Sequence, residues 1–108
     1  MKARLLLALM AVAAGGCTTL DDRTCPPDSK LTYESFGKGF FERECVWCHG
    51  GAKGQSARSF TTVESIRSQK ERIFVNAAAD NRAMPPGPDG PSDADRQRLA
   101  EWLACGAP

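Results

Sequence analysis

Two thiols three residues apart, with an imidazole directly behind them, stand near the middle of the chain as Cys45-Val46-Trp47-Cys48-His49. On a helical turn the i, i+3 spacing puts both sulfurs on one side. Each can then add to a vinyl group while the next ring nitrogen reaches a metal, which is the Cys-x-x-Cys-His chemistry of covalent haem attachment. The same residue types allow two other chemistries. A dithiol redox pair wants a βαβ setting, and no strand alternation stands out to build one. A zinc site could draw on Cys45, Cys48, His49 and one outlying cysteine, but it leaves an odd thiol. His49 is the single histidine of the chain, so any histidine ligand is His49.

An iron held by His49 has a second axial position to fill. Met1 and Met10 belong to an N-terminal leader, which leaves Met84 as the one thioether available. It lies in Asn81-Arg82-Ala83-Met84-Pro85-Pro86-Gly87. A residue before proline is pushed away from helical ψ, and two prolines stiffen the stretch after it. A lone methionine usually fills a core, yet a core methionine is seldom sited directly before a double proline. Met84 is therefore expected as the iron's second protein ligand. Arg72, Arg82 and Trp47 are candidates for the haem propionates on charge and proximity.

Composition points to an interior that side chains do not fill. The chain has 108 residues, enough for one domain, and 14 Lys+Arg against 13 Asp+Glu give a formal charge of +1. The two signs are interspersed, so there is no electrostatic footprint for nucleic acid. Of the first 16 residues 12 are apolar, which leaves about 36% apolar in the other 92. Leu, Ile, Val and Phe make up only 14 of those 92, below the roughly 20% associated with disorder. Either the mature chain is disordered or something other than side chains occupies its centre. A haem would supply that mass; zinc would not.

Residues 1–16 read as an export signal. Lys2 and Arg4 precede an unbroken apolar run from Leu5 to Ala14, too short for the roughly 20 residues that span a bilayer and without the polar face of a core helix. Ala14-Gly15-Gly16-Cys17 resembles a bacterial lipobox, in which the cysteine carries diacylglycerol, although Ala14 stands where leucine is usual; plain secretion with an unmodified Cys17 is the alternative. Thr18 is not the aspartate that favours inner-membrane retention, so the expected location is the periplasmic side of the envelope, lipid-anchored, with the outer membrane favoured. Residues 17–31 are then the lipidated cysteine and a short tether, with Thr18 to Thr24 free, and residues 32–108 the domain. Cys25 and Cys105 remain. In an exported chain they most simply pair as a disulfide, although two separate thiols are also open.

Thr32 is a plausible N-cap, and Tyr33, Phe36, Gly37, Phe40 and Phe41 recur at i, i+4, which reads as one helix running into the Cys45 turn. Val63, Ile66, Ile73, Phe74 and Ala77 predict a single middle helix. Pro91-Ser92-Asp93-Ala94-Asp95 starts a last helix with Leu99, Trp102 and Leu103 as its stripe and Gly106 as its stop. Residues 50–59 and 85–91 read as loops. Gly37 in a helix interior costs about 1 kcal/mol against alanine, so something comes close there, and Trp102 is the natural candidate.

With Cys45-x-x-Cys48-His49 early, Met84-Pro85-Pro86 late, Gly37 and Phe41 ahead of the turn and Leu99-x-x-Trp102 in the last helix, the chain resembles the class I c-type cytochromes over Tyr33 to Gly106. The resemblance implies an all-α fold of about three helices around one covalently bound haem c, with first and last helices packed together. It implies Cys45 and Cys48 as attachment points, His49 and Met84 as iron ligands, and single-electron transfer to transient redox partner proteins rather than enzymatic turnover. A haem-based sensor or small peroxidase with an open iron site and a structural zinc lipoprotein are the competing functions. One departure from the pattern is that no proline lies between His49 and Pro85, where the family usually has one whose carbonyl receives the histidine N–H. The cysteines at 25 and 105 are an addition to it.

Overall fold

The computed structural model describes residues 18–49 and 59–108, apart from the side chains of Trp47 and Cys48. The leader, Cys17 and all but the last residue of the loop expected at 50–59 lie outside the described residues. In chain order the elements are a 3₁₀ turn, Leu20–Asp22; a wide π turn, Tyr33–Gly37, running into α1, Lys38–Glu44; α2, Val46–His49; α3, Val63–Ser68; α4, Lys70–Ala77; and α5, Asp93–Ala104. Among the described residues there is no strand, so the fold is all-α as expected.

Thr32 caps the first element as anticipated. Its hydroxyl accepts the Ser35 N–H at 3.0 Å, and the Ser35 hydroxyl accepts the Thr32 N–H at 3.0 Å. The Thr32 carbonyl takes both the Phe36 and Gly37 N–H groups, at 2.9 and 3.2 Å, which makes this first turn wide. The single helix expected here is interrupted at Cys45, whose φ of −125° leaves the helical well. Cys45 nonetheless donates to Phe41 and His49 to Cys45, so the chain changes direction without orphaning its backbone.

The middle helix also divides. At Gln69 the N–H closes on Ile66 at 3.0 Å, and the Gln69 side-chain amide takes the Ser65 carbonyl at 3.1 Å that a continuous helix would have used. The result is α3 and α4 meeting at a bend, with Ile66, Ile73, Phe74 and Ala77 still buried. Ser92 caps α5 by accepting the Asp95 N–H at 3.1 Å, and Gly106 ends it at a φ of +87°, which glycine adopts without steric cost.

The core is shared by α1, α3, α4 and α5, and at one end of it the first element crosses α5 where Gly37 meets Trp102. A Cβ on Gly37 would lie 2.7 Å from the Trp102 ring, so glycine is what lets the indole seat on the helix backbone, as the sequence anticipated. Trp102 is fully buried, its indole N–H donating to the Pro108 carbonyl at 3.1 Å. That same carbonyl accepts the Tyr33 N–H, so the C-terminus ties the two helices together.

The N-terminal segment differs from the free tether expected for Thr18 to Thr24. The Thr18 carbonyl accepts from the Asn81 side chain at 3.0 Å, Leu20 packs on the core, and the Arg23 guanidinium lies 6.0 Å over the Phe74 ring. The segment is docked because Leu20 offers the thin core apolar area and Asn81 offers its backbone a donor. Cys25 and Cys105 are joined in a disulfide with Cα atoms 4.6 Å apart, which anchors it further. Among the described residues no helix is long and apolar enough to cross a membrane.

Candidate functional site

A cavity of about 350 Å³ opens between α1, α2, α4 and the Met84 loop. Protein interiors hold few voids larger than a water molecule, so a space this size in so small a domain is not a packing defect. Its volume lies at the lower end of the range for ligand and cofactor pockets. Cys45, His49 and Phe60 line it, with Ile73 and Ala77 of α4, Met84, Pro85 and Pro86 of the loop, and Leu99 of α5. The lining is mostly apolar, with Glu44, His49, Arg72 and Asn76 as its polar members.

The His49 wall is built by ring packing. The imidazole lies 4.6 Å from the Phe60 ring at an interplanar angle of 35°. Phe60 meets Phe41 edge-on at 5.5 Å, and Phe41 stands 6.1 Å from Trp102. The Phe60 N–H donates to the His49 carbonyl at 2.9 Å, which fastens the chain after residue 58 to the turn. An aromatic relay thus runs from the helix crossing to the imidazole, and the loop reading of Gly50 to Ser59 gave no hint of Phe60 in this role.

The Met84 wall is built by hydrogen bonds. The Met84 N–H donates to the Asn76 carbonyl at 2.7 Å, and Asn81, almost fully buried, donates to the Phe74 carbonyl at 3.0 Å. Arg96 is 3% exposed and sends one guanidinium nitrogen to the carbonyls of Ala77, Met84 and Asn81, at 2.8, 2.8 and 3.2 Å. Burial pushes this guanidinium below the ordinary arginine range, and the Arg82 charge adds to the effect. The Met84 side chain is itself 42% exposed, on the rim of the cavity. Arg96 escaped the sequence reading, although a signal was there: it occupies the buried stripe of α5 with Leu99, Ala100 and Leu103, where a cation needs partners.

Of the expected site residues, Cys45, His49 and Met84 come together on one cavity. Cys48 sits on α2 between the first two, its side chain outside the described part of the molecule. Arg72 lines the cavity; Arg82 instead pairs with Asp93 at the surface. Cys25 and Cys105 are in the disulfide, away from the lining. Cys17 lies outside the described residues. The donor set suits a haem: a thiol, an imidazole and a thioether share one mostly apolar lining. Among the described residues no group of three His, Cys, Asp or Glu side chains gathers as a metal site.

Searches of curated proteins and of solved structures returned no match. The sequence profile of the family described as cytochrome C oxidase, cbb3-type, subunit III matches residues 35–103, which takes in the Cys-x-x-Cys-His turn, the cavity lining and all but the last residue of α5. The chain therefore belongs to that family, and with it to the class I c-type cytochromes that carry covalently bound haem c and transfer electrons.

Proposed function

We propose that this chain is an exported single-haem carrier that passes one electron at a time between protein partners, with His49 and Met84 as the two iron ligands. The observation that carries the reading is the shared cavity: the one histidine and the one methionine of the mature chain line the same apolar space. Cys45 and Cys48 would bind the haem through their sulfurs, and the haem, once bound, supplies the one-electron change at iron. The chain's residues do the rest. Phe60 holds the imidazole ring, and Phe41, Ile73 and Leu99 exclude water from the iron's surroundings. Thioether ligation by Met84 raises the potential relative to a second nitrogen ligand. Partner contacts should be small and transient, as in other redox encounters.

Export and lipidation complete the reading. With Cys17 lipidated, no slack chain separates the membrane from the domain, because the Thr18 carbonyl is already bonded by Asn81. Redox partners would meet the protein close to the membrane surface. Mass spectrometry of the exported protein tests this by showing Cys17 as a lipidated N-terminus, and Cys17→Ser should release the domain to the soluble fraction.

An optical spectrum of protein matured with the haem-attachment machinery tests the site. Low-spin bands with a weak sulfur-to-iron band are expected, and Met84→Ala should abolish the latter. High-spin bands would favour the sensor or peroxidase, and a colourless, folded protein would leave zinc. Retention of the sulfur band in Met84→Ala would exclude Met84 as the ligand.

A further inference from the structure

We infer that Arg96 is the positioning residue for the methionine side of the haem site: from inside α5 it fixes the backbone from Ala77 to Met84 and so sets where the thioether stands. The inference rests on Met84 being the iron ligand, and extends it to what holds that ligand in place.

Several independent contacts converge on this arginine. One terminal nitrogen carries two hydrogens yet faces three carbonyls, those of Ala77, Asn81 and Met84, so at least one hydrogen is shared. These carbonyls mark the start, middle and end of the segment that leads from α4 to the thioether. Arg96 also grips that segment with its own backbone, because its carbonyl accepts the Ala79 N–H at 3.0 Å. Ala79 lies at a φ of +55°, a left-handed conformation that costs an alanine energy and persists only where its surroundings hold it. Gly90 completes the seat, since a Cβ there would stand 2.9 Å from the other terminal nitrogen.

Placement separates this from ordinary packing. Met84 is 42% exposed, so its own burial only partly restrains the sulfur. What fixes the sulfur is the path of the backbone, and the Met84 carbonyl is the last point on that path before Pro85. The planar guanidinium fixes the direction of that one donating nitrogen and remains charged, so its bonds to neutral carbonyls are charge-assisted and directional. Leu99, one turn on from Arg96 along α5, lines the same cavity, so the helix that lines the site also holds the Met84 loop.

Three variants of the mature haem protein test this: Met84→Ala, Arg96→Leu and Arg96→Lys. The readouts are the intensity of the sulfur-to-iron band, the reduction potential and the affinity of the ferric protein for imidazole, which competes with the thioether. Met84→Ala should abolish the band and bind imidazole most tightly; if it leaves both unchanged, the ligand assignment fails and this inference with it. Arg96→Leu should weaken the band, lower the potential and raise imidazole affinity at least about tenfold, the scale of losing one charge-assisted hydrogen bond. If Met84→Ala behaves as expected while folded Arg96→Leu keeps the band, potential and imidazole affinity of the parent, the inference is overturned and the ligand assignment stands. Where Arg96→Leu fails to accumulate as haem protein, Arg96→Lys decides. It keeps the charge but on a shorter side chain without the guanidinium plane that holds the donating nitrogen against all three carbonyls, and a roughly threefold gain in imidazole affinity is expected from a partial loss of those bonds; parent affinity overturns the inference.

Discussion

The two sides of the cavity are held by different forces. The His49 side is a stack of rings, from Trp102 through Phe41 and Phe60 to the imidazole, seated on a glycine that lets two helices touch. The Met84 side starts from Ala77 to Ala79, buried in the core, and its path from there to the thioether is held by polar bonds from Arg96 and Asn81 to backbone carbonyls. Packing is cooperative and resists opening, because its members lose contact together. A loop held by individual hydrogen bonds can open locally at a fraction of the global cost. The attachment side is therefore built to stay, and the methionine side is where the site can yield.

The largest effect should fall on the packed side. Trp102→Ala removes a fully buried indole from the helix crossing and is expected to destabilise the haem protein by about 3 to 5 kcal/mol in denaturant titration. A loss below about 1 kcal/mol would mean the rings do not hold that side. Gly37→Ala comes next, at about 2 kcal/mol, because the new methyl must push the indole aside. The two substitutions should also be coupled. In a Trp102→Ala background the clash is gone, so alanine at 37 should instead stabilise by up to about 1 kcal/mol through helix propensity. A Gly37→Ala cost that survives removal of the indole would rule out this packing as the reason for glycine at the crossing.

These same two sides were unequally legible in the sequence. The crossing was readable because glycine in a helical pattern is costly and therefore informative, and because apolar spacing reports faces directly. The caps at Thr32 and Ser92 were readable for a similar reason, as a short polar side chain before an acidic first turn serves few other purposes. Local competition hid the breaks at Cys45 and Gln69. At Gln69 a side-chain amide takes a carbonyl from the helix, which apolar periodicity does not register. The Met84 loop was recognised by its prolines, but its support was hidden. Arg96 is one of many arginines in the chain; its place on the apolar stripe of α5 marks it as buried, but which carbonyls it serves, those of residues 77, 81 and 84, follows only from three-dimensional proximity. The docked N-terminal segment was missed because Thr18 contributes a backbone carbonyl, for which side-chain identity carries no signal.

A smaller effect is expected where the hydrogen-bonded side is weakened away from Arg96. Asn81→Ala withdraws donors from the Phe74 and Thr18 carbonyls and should cost about 1 to 1.5 kcal/mol. Its location matters more than its size. Amide hydrogen exchange should quicken at Met84 and the residues around it, while amides of α1 keep the protection of the parent. Equal acceleration in α1 would show that the two sides open as one unit, with no difference in how they are held.

The smallest effect is expected at Arg82, where two opposing contributions meet. Its guanidinium pairs with Asp93 at the surface, with both side chains more than half exposed, so the attraction is worth at most about 1 kcal/mol. The same charge also presses on the buried Arg96 and helps to lower its pKa, an unfavourable contribution that disappears with the side chain. Asp93 keeps its place in the first turn of α5, where the helix dipole stabilises it without a partner. Arg82→Ala should therefore leave stability within about 0.5 kcal/mol of the parent, and raising salt should weaken the exposed Arg82 to Asp93 attraction more than the repulsion of buried Arg96. A clear stabilisation at low salt would mean that repulsion of Arg96 outweighs the surface pair. A loss well above about 1 kcal/mol would instead make the Arg82 to Asp93 contact a main support of the methionine side.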